Sequence, residues 1–295
     1  MKQCFPFKLN DWVYALGDSR FISYLIKADD TYIIFEAGVT ATSKKIFDQI
    51  NALNIKKEDI GYIVISHEHA DHTTGLPHLA KHFNRAFVLS STKTKERLLK
   101  QQVIQNFMIE DRHFVDVYRG LGETTFDVSG EGFNVTSEIN NGDTIINKDI
   151  KAIATPGHTS GILSLFIKSE GTMLISDSAG FYYSDNSNMP LFFFGFKQYV
   201  QSLKLIESMR PDIIGLGHTT YFKGNEAFNH IRESIDTAYS IKEKIQKQIH
   251  DGKDKGEIKA WLMELSYKNE MTMYKQDVIE LSVEALIKQV MLDNG

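Results

Sequence analysis

Residues 66–72 read Ser-His-Glu-His-Ala-Asp-His and follow directly on an apolar run, Tyr62-Ile63-Val64-Ile65. His67, His69, Asp71 and His72 thus fall within six positions. Imidazoles and carboxylates are ligands for borderline divalent cations. In an extended stretch the side chains alternate, so His67 and His69 point to one side. Asp71 and His72 can then curl into a second group as the chain turns into the helix expected next. The same alternation turns Glu68 away, as an outward or supporting carboxylate. Histidines that merely cap a helix are the plain alternative, but capping gives no use for so many ligand-type side chains in so short a stretch.

Three further segments share this layout, an apolar strand followed by a short loop with one ligand-type residue: Ile153 to His158, Leu174 to Asp177, and Ile213 to His218. Each alone reads as a turn or cap residue. Their recurrence points to one place, because the C-terminal ends of strands gather at one edge of an α/β sheet.

With these residues in view, the chain resembles the metallo-β-lactamase superfamily. His-Glu-His-Ala-Asp-His at 67–72 matches the family's HxHxDH, and Thr-Pro-Gly-His-Thr-Ser-Gly at 155–161 matches its third ligand loop. Ser-Asp-Ser-Ala-Gly at 176–180 matches the loop of the bridging aspartate, and Gly-Leu-Gly-His-Thr at 215–219 the last histidine. The resemblance covers about the first 225 residues. It implies an α/β (α+β) fold, a four-layer αβ/βα sandwich with two divalent metal ions at one edge, zinc or iron, with manganese also accepted by such ligands. It further implies that His67, His69 and His158 hold one metal, that Asp71, His72 and His218 hold the other, and that Asp177 bridges them.

Aspartate rather than cysteine at 177 is similar to the glyoxalase II-like and other hydrolase branches, not to the main zinc-dependent β-lactamase classes. Histidine at 69 departs from the glutamate of flavodiiron proteins. A narrower similarity, in layout only, is to the quinolone signal-response thioesterases. The expected reaction is hydrolysis of a thioester or ester carbonyl by hydroxide shared between two cations, which lower the pKa of water to about 7. Asp71 is expected to orient that nucleophile.

The elements needed to position these residues are legible. Turn-bounded β-runs at Trp12–Leu16, Phe21–Ile26 and Thr31–Glu36 suggest a meander. Ile46, Ile50 and Leu53 mark a helix. Leu76–Phe83 reads as helix and Ala86–Ser90 as strand, which with Tyr62–Ile65 makes an α/β unit. From Gln102 a helix to about Glu110 is expected, then hairpins around Gly130, Gly132 and Asn140–Gly142. Strands at Ile150–Ala154, Ile162–Lys168, Thr172–Ser176 and Asp212–Leu216 and a helix at Phe196–Met209 complete a domain of residues 1–225. Residues 226–295 are helical in spacing, with breaks at 251–252, 253–256 and 269–272, and form an expected extension packing near the active-site edge.

The run Met189 to Phe196 begins a dozen positions after Asp177. Its Phe192, Phe193 and Phe194, with Tyr182 and Tyr183 before them, are candidates for an apolar wall beside the metals that holds an acyl or aromatic substrate. Packing at the start of a helix is the competing account.

Composition bounds the partners. With 295 residues, 42% hydrophobic and 24% charged, the chain is an ordinary globular protein of one large domain, or a core plus an appendage. The net charge of −5 and the lack of a dense Lys/Arg stripe argue against nucleic acid. Absence of a long apolar run argues against a membrane span, and absence of an apolar leader against secretion. Cys4, the only cysteine, fits a reducing compartment. The expectation is a cytoplasmic hydrolase of a small molecule, with a homodimer left open by the Met and Tyr positions of the extension. Two rivals stand: a phosphodiesterase on the same metals, and a binding or regulatory protein that keeps them.

Overall fold

The computed structural model describes residues 4–293. The chain forms two compact units, one running to Ala154 and including Leu163–Glu170, the other made of Thr155–Ile162 and the chain from Gly171 onward.

The first unit is built on a seven-stranded sheet in sequential order. β2 (Val13–Gly17), β3 (Ile22–Ala28) and β4 (Thr31–Phe35) form the expected antiparallel meander, to which β1 (Phe7–Lys8), not expected from sequence, adds an antiparallel edge. α1 (Thr40–Ala52) then crosses over to β5 (Ile60–Val64), which pairs parallel with β4. The short α2 (Ala70–Thr73) and α3 (Leu76–His82) lead to the parallel β6 (Phe87–Ser90). Parallel neighbours need such crossovers, and helices placed there bury an apolar stripe on the sheet. Ile46, Phe47 and Ile50 of α1 and Leu76 and Leu79 of α3 pack with Leu16, Leu25, Ile34 and Ile63 in one cluster.

Beyond β6 the structure departs from the sequence reading. α4 (Thr92–Leu98) was not expected, although Ser91 caps it by accepting from Thr94 N. α5 (Gln101–Gly120) runs ten residues past Glu110. The reason is Asp111, which sits in the buried stripe with Phe107, Phe114, Val115 and Tyr118 and interrupts its apolar pattern. Asp111 is tied down there by the Thr40 N–H at 3.0 Å and the Thr74 hydroxyl at 2.7 Å. After the two-residue strand β7 (Ser137–Glu138), β8 (Ile150–Ala154) and β9 (Leu163–Ile167) pair antiparallel.

In the second unit β10 (Thr172–Ser176) leads to the small antiparallel pair β11 (Phe181–Tyr182) and β12 (Asn188–Met189), then to α6 (Phe196–Met209). β13 (Ile213–Leu216) pairs parallel with β10 and antiparallel with β14 (Tyr221–Lys223). The helical extension follows as α7 (Asn225–His250), α8 (Lys255–Ser266) and α9 (Gln276–Leu292). α8 starts at a reciprocal cap in which Asp254 accepts from Glu257 N and Glu257 accepts from Asp254 N. Among the described residues no helix is long and apolar enough to cross a membrane.

Candidate metal centre

In the first unit the ligand loop leaves β5 as extended chain, held at Ile65 N by Leu89 O and at Ser66 O by Leu163 N. His67 Nδ1 is hydrogen-bonded to the Ser66 hydroxyl at 2.8 Å. If that nitrogen carries the ring proton, Nε2 keeps its lone pair for a metal. His67 Nε2 and His69 Nδ1 converge at 3.2 Å. His69 is the last extended residue before α2, so the chain then turns and places Asp71 and His72 on the first helical turn. His72 Nε2 lies 3.6 Å from Asp71 Oδ2.

His72 Nδ1 faces Glu36 Oε2 at 3.3 Å. Glu36 was not identified from sequence as a site residue. It follows β4, is 0% exposed, and neither carboxylate oxygen has a hydrogen-bond partner. Its backbone φ of 74° is in the left-handed region. The available signal was the pattern of the other ligand loops, an acidic residue directly after an apolar strand. Glu68, expected to point outward, is turned from the ligands but is not on the surface. It is buried and accepts from the Thr94 hydroxyl at 2.9 Å.

In the second unit three loops carry His158, Asp177 and His218. His158 Nδ1 donates to Leu191 O at 3.0 Å, which leaves Nε2 to face Asp177 Oδ2 at 3.3 Å. The other oxygen, Asp177 Oδ1, faces His218 Nε2 at 3.6 Å. The two oxygens of one carboxylate are therefore each directed at a different imidazole. Ser176 and Thr219, the neighbours of Asp177 and His218, have φ of 49° and 61°. Like Glu36, they are side-chain-bearing residues in a backbone region costing of order 1–3 kcal/mol, which persists where surrounding contacts enforce it.

Two of these spacings are those of ligands sharing one ion. Two ligands at about 2.0–2.1 Å in a tetrahedral shell are about 3.3 Å apart, the spacing of His67 with His69 and of His158 with Asp177. Among the described residues, three sets of side chains have the donors to hold an ion: His67, His69, His158 and Asp177; Asp71, His72 and His218; and Glu36, His67 and His72. Donor sets of this kind suggest a dinuclear metal site.

The aromatic candidates separate. Phe192 is 0% exposed and packs edge-on against Phe196 and Tyr199, a core position. Tyr183 is buried, and its hydroxyl donates to Ser266 O at 2.8 Å. Tyr182 meets Phe222 and His230. Phe194 is exposed. Phe193, half-buried, is the one whose ring lies beside a ligand-type histidine, 5.1 Å from His158.

Comparison with known proteins places the chain in a family. A metallo-β-lactamase-fold protein of Sulfurisphaera tokodaii, ST1585, is 25% identical over 244 residues, 80% of this chain and 84% of that one. Among solved structures, the metallo-β-lactamase family protein TTHA1429 of Thermus thermophilus covers 93% of both chains with a TM-score of 0.63 at 15% identity. The native FEZ-1 metallo-β-lactamase of Legionella gormanii covers 84% of this chain and 98% of its own, with a TM-score of 0.59 at 21% identity. At such identities the structural likeness shows the fold: a four-layer α/β sandwich, carrying a C-terminal helical extension in this chain. Fold and ligand clusters together support a metal-dependent hydrolase. The model of the Metallo-beta-lactamase superfamily matches residues 23–218. That span takes in every ligand-type residue from His67 to His218, and the chain belongs to the metallo-β-lactamase superfamily.

Proposed function

We propose that the protein hydrolyses a small acyl thioester or ester at a dinuclear centre, with His67, His69 and His158 holding one ion, Asp71, His72 and His218 the other, and Asp177 bridging. The observation that carries this reading is Asp177, whose Oδ2 and Oδ1 are directed at Nε2 of His158 and of His218 at 3.3 and 3.6 Å. Zinc, iron and manganese all suit the donors. Bound divalent cations would supply activated water at neutral pH and an electrophile for the scissile carbonyl.

The chain's own residues do the rest. Leu191 O fixes the tautomer of His158, and Ser66 Oγ can accept a hydrogen bond from His67 Nδ1. Asp71, with a side chain 14% exposed against 2% for His72, is the carboxylate best placed to orient a nucleophile and pass its proton to a leaving group. Phe193 offers an apolar contact beside His158 for the acyl portion. In this reading residues 1–225 are the hydrolase domain and 226–295 its extension. The narrower likeness to quinolone signal-response thioesterases rests on that layout alone. A thioester is favoured over a phosphodiester of nucleic acid because the net charge is −5 and no basic track accompanies the ligands.

The test is thiol release from a panel of aryl and alkyl acyl thioesters by protein of verified metal content. Release that a chelator abolishes, and that Asp71→Ala loses while remaining folded, is the expected result. Turnover of bis(p-nitrophenyl) phosphate without thioester turnover would replace this reading with phosphodiester hydrolysis.

A further inference from the structure

The buried carboxylate that interrupts the apolar stripe of α5 joins segments far apart in the chain. Asp111 is 1% exposed, and its Oδ1 accepts both from Thr40 N, 71 positions away, and from the Thr74 hydroxyl, 37 positions away. Thr40 opens α1, whose N-cap position is Val39, a residue with no side-chain oxygen to offer. Asp111 therefore caps α1 from outside, where a carboxylate also meets the positive end of the helix dipole. Thr74 closes α2, two residues beyond His72. The Thr40 hydroxyl donates to Thr74 O at 3.0 Å, so the start of α1 and the end of α2 are bonded to each other as well as to one carboxylate oxygen.

The two segments tied in this way carry groups of the metal centre. α1 continues from the loop that begins at Glu36, and α2 bears Asp71 and His72. The loop and the α2 segment meet again where Ala37 N donates to His72 O at 3.1 Å and Gly75 N donates to Gly38 O at 3.0 Å. The approach at Gly75 is so close that a Cβ there would lie 2.2 Å from Ala37 O. Across the same seam Glu36 Oε2 reaches His72 Nδ1. The Glu36 carboxylate makes no hydrogen bond, so its 3.3 Å approach to His72 depends on how the two backbones are held.

Resting on the dinuclear reading above, we propose that Asp111 is a positioning residue for the metal centre: by bonding Thr40 and Thr74 together it holds α2, with Asp71 and His72, in register with the Glu36 loop. Neither of its hydrogen bonds is to a ligand-type residue, and it acts through the backbone of both segments. Groups outside a ligand set that fix its orientation change metal affinity by about 10–100-fold when they are lost. Both bonds fall on Oδ1, while Oδ2 is buried with no hydrogen-bond partner. The tie therefore requires an acceptor atom at one point, which the oxygen of an amide can also supply.

The experiment measures zinc binding to the full chain by competition with a chromophoric chelator, resolving two steps, with hydrogen exchange of the metal-free protein alongside. Thr74→Val is the primary variant, because it removes one hydroxyl and keeps the shape, whereas Asp111→Leu also strips the α1 cap. Thr74→Val should weaken one zinc step about tenfold and leave the other unchanged. In the metal-free protein it should speed exchange of the Ala37 and Gly75 amides about tenfold, with β3 amides at their wild-type rates. Thr74→Ser keeps the donor and Asp111→Asn keeps an acceptor, so both should behave as wild type on each measure. Equal weakening of both zinc steps, unchanged binding in Thr74→Val, or failure of Thr74→Ser to retain it would overturn the positioning role while leaving the two-ion centre intact. If the wild type bound fewer than two zinc ions, the dinuclear reading would fail instead. Exchange would then decide: faster rates at Ala37 and Gly75 in Thr74→Val but not in Thr74→Ser sustain the tie, and identical rates remove it.

Discussion

Glu36 shows how much a single side chain can reveal about its site. A carboxylate with 0% exposure and no hydrogen bond is among the most costly groups a protein can bury, by several kcal/mol unless a charge compensates it. The group of opposite potential charge that faces it is His72 Nδ1, at 3.3 Å. If His72 gives Nε2 to a cation, Nδ1–H is left to donate toward Glu36, and the imidazole and its metal together offset the buried charge. Two opposite effects follow for Glu36→Gln, which keeps the shape and removes the charge. Metal affinity, read by competition with a chelator, should fall about 10–100-fold. The melting temperature of the metal-free protein should rise, because an uncompensated charge is gone. Unchanged affinity would show that Glu36 does not act on the metal through His72.

At the scale of elements, each ligand depends on a loop whose backbone leaves no latitude. Gly157, with φ of 143°, packs so closely on α6 that a Cβ there would lie 2.3 Å from Tyr199 Cα and 2.5 Å from its N. Its carbonyl accepts from Phe194 N and Gly195 N, which ties the His158 loop to the Phe193 segment. Gly157→Ala must push a helix backbone aside, so it should destabilise by about 3 kcal/mol or more and lower metal content. Calorimetric unfolding and metal stoichiometry measure both, and wild-type values for both would contradict the packing argument. Such loops also explain what could be read in advance. An apolar run ending in a ligand-type residue is visible without coordinates, which is why His67, His158, Asp177 and His218 stood out. Asp111 and Glu36 were hidden for one shared reason, that a carboxylate buried by tertiary neighbours looks like a surface residue in sequence. Asp111 thereby masked half of α5, and Glu36 passed as the end of a strand. β12 and β14, of two and three residues, are too short for any periodicity. Of the five aromatic residues chosen as a wall, the sequence could not separate Phe193 from Phe192, since one position along an irregular segment decides whether a ring meets His158 or the core.

At the scale of the whole molecule, acid stability offers a separate test, through a histidine remote in role from the ligands. His230 on α7 is 2% exposed, stacked on Phe222 at 4.3 Å and edge-on to Tyr182, with neither ring nitrogen hydrogen-bonded. Burial alone pushes its pKa down to about 4 from 6.5. In the unfolded chain the imidazole takes up a proton near 6.5, so between about 6.5 and 4 the unfolded state binds more protons than the folded one. Stability from this residue is therefore complete above pH 6.5, declines as the pH falls, and has lost about 3 kcal/mol by pH 4. The metal ligands also titrate in acid, but distant sites contribute nearly additively, so a variant isolates the term. His230→Leu removes the titration and keeps an apolar side chain against Phe222. Urea unfolding at pH 7, 5.5 and 4 should show the wild type losing about 3 kcal/mol more than His230→Leu across that interval. Parallel losses in the two proteins would mean that His230 is protonated in the fold and that α7 and β14 open to accommodate the charge.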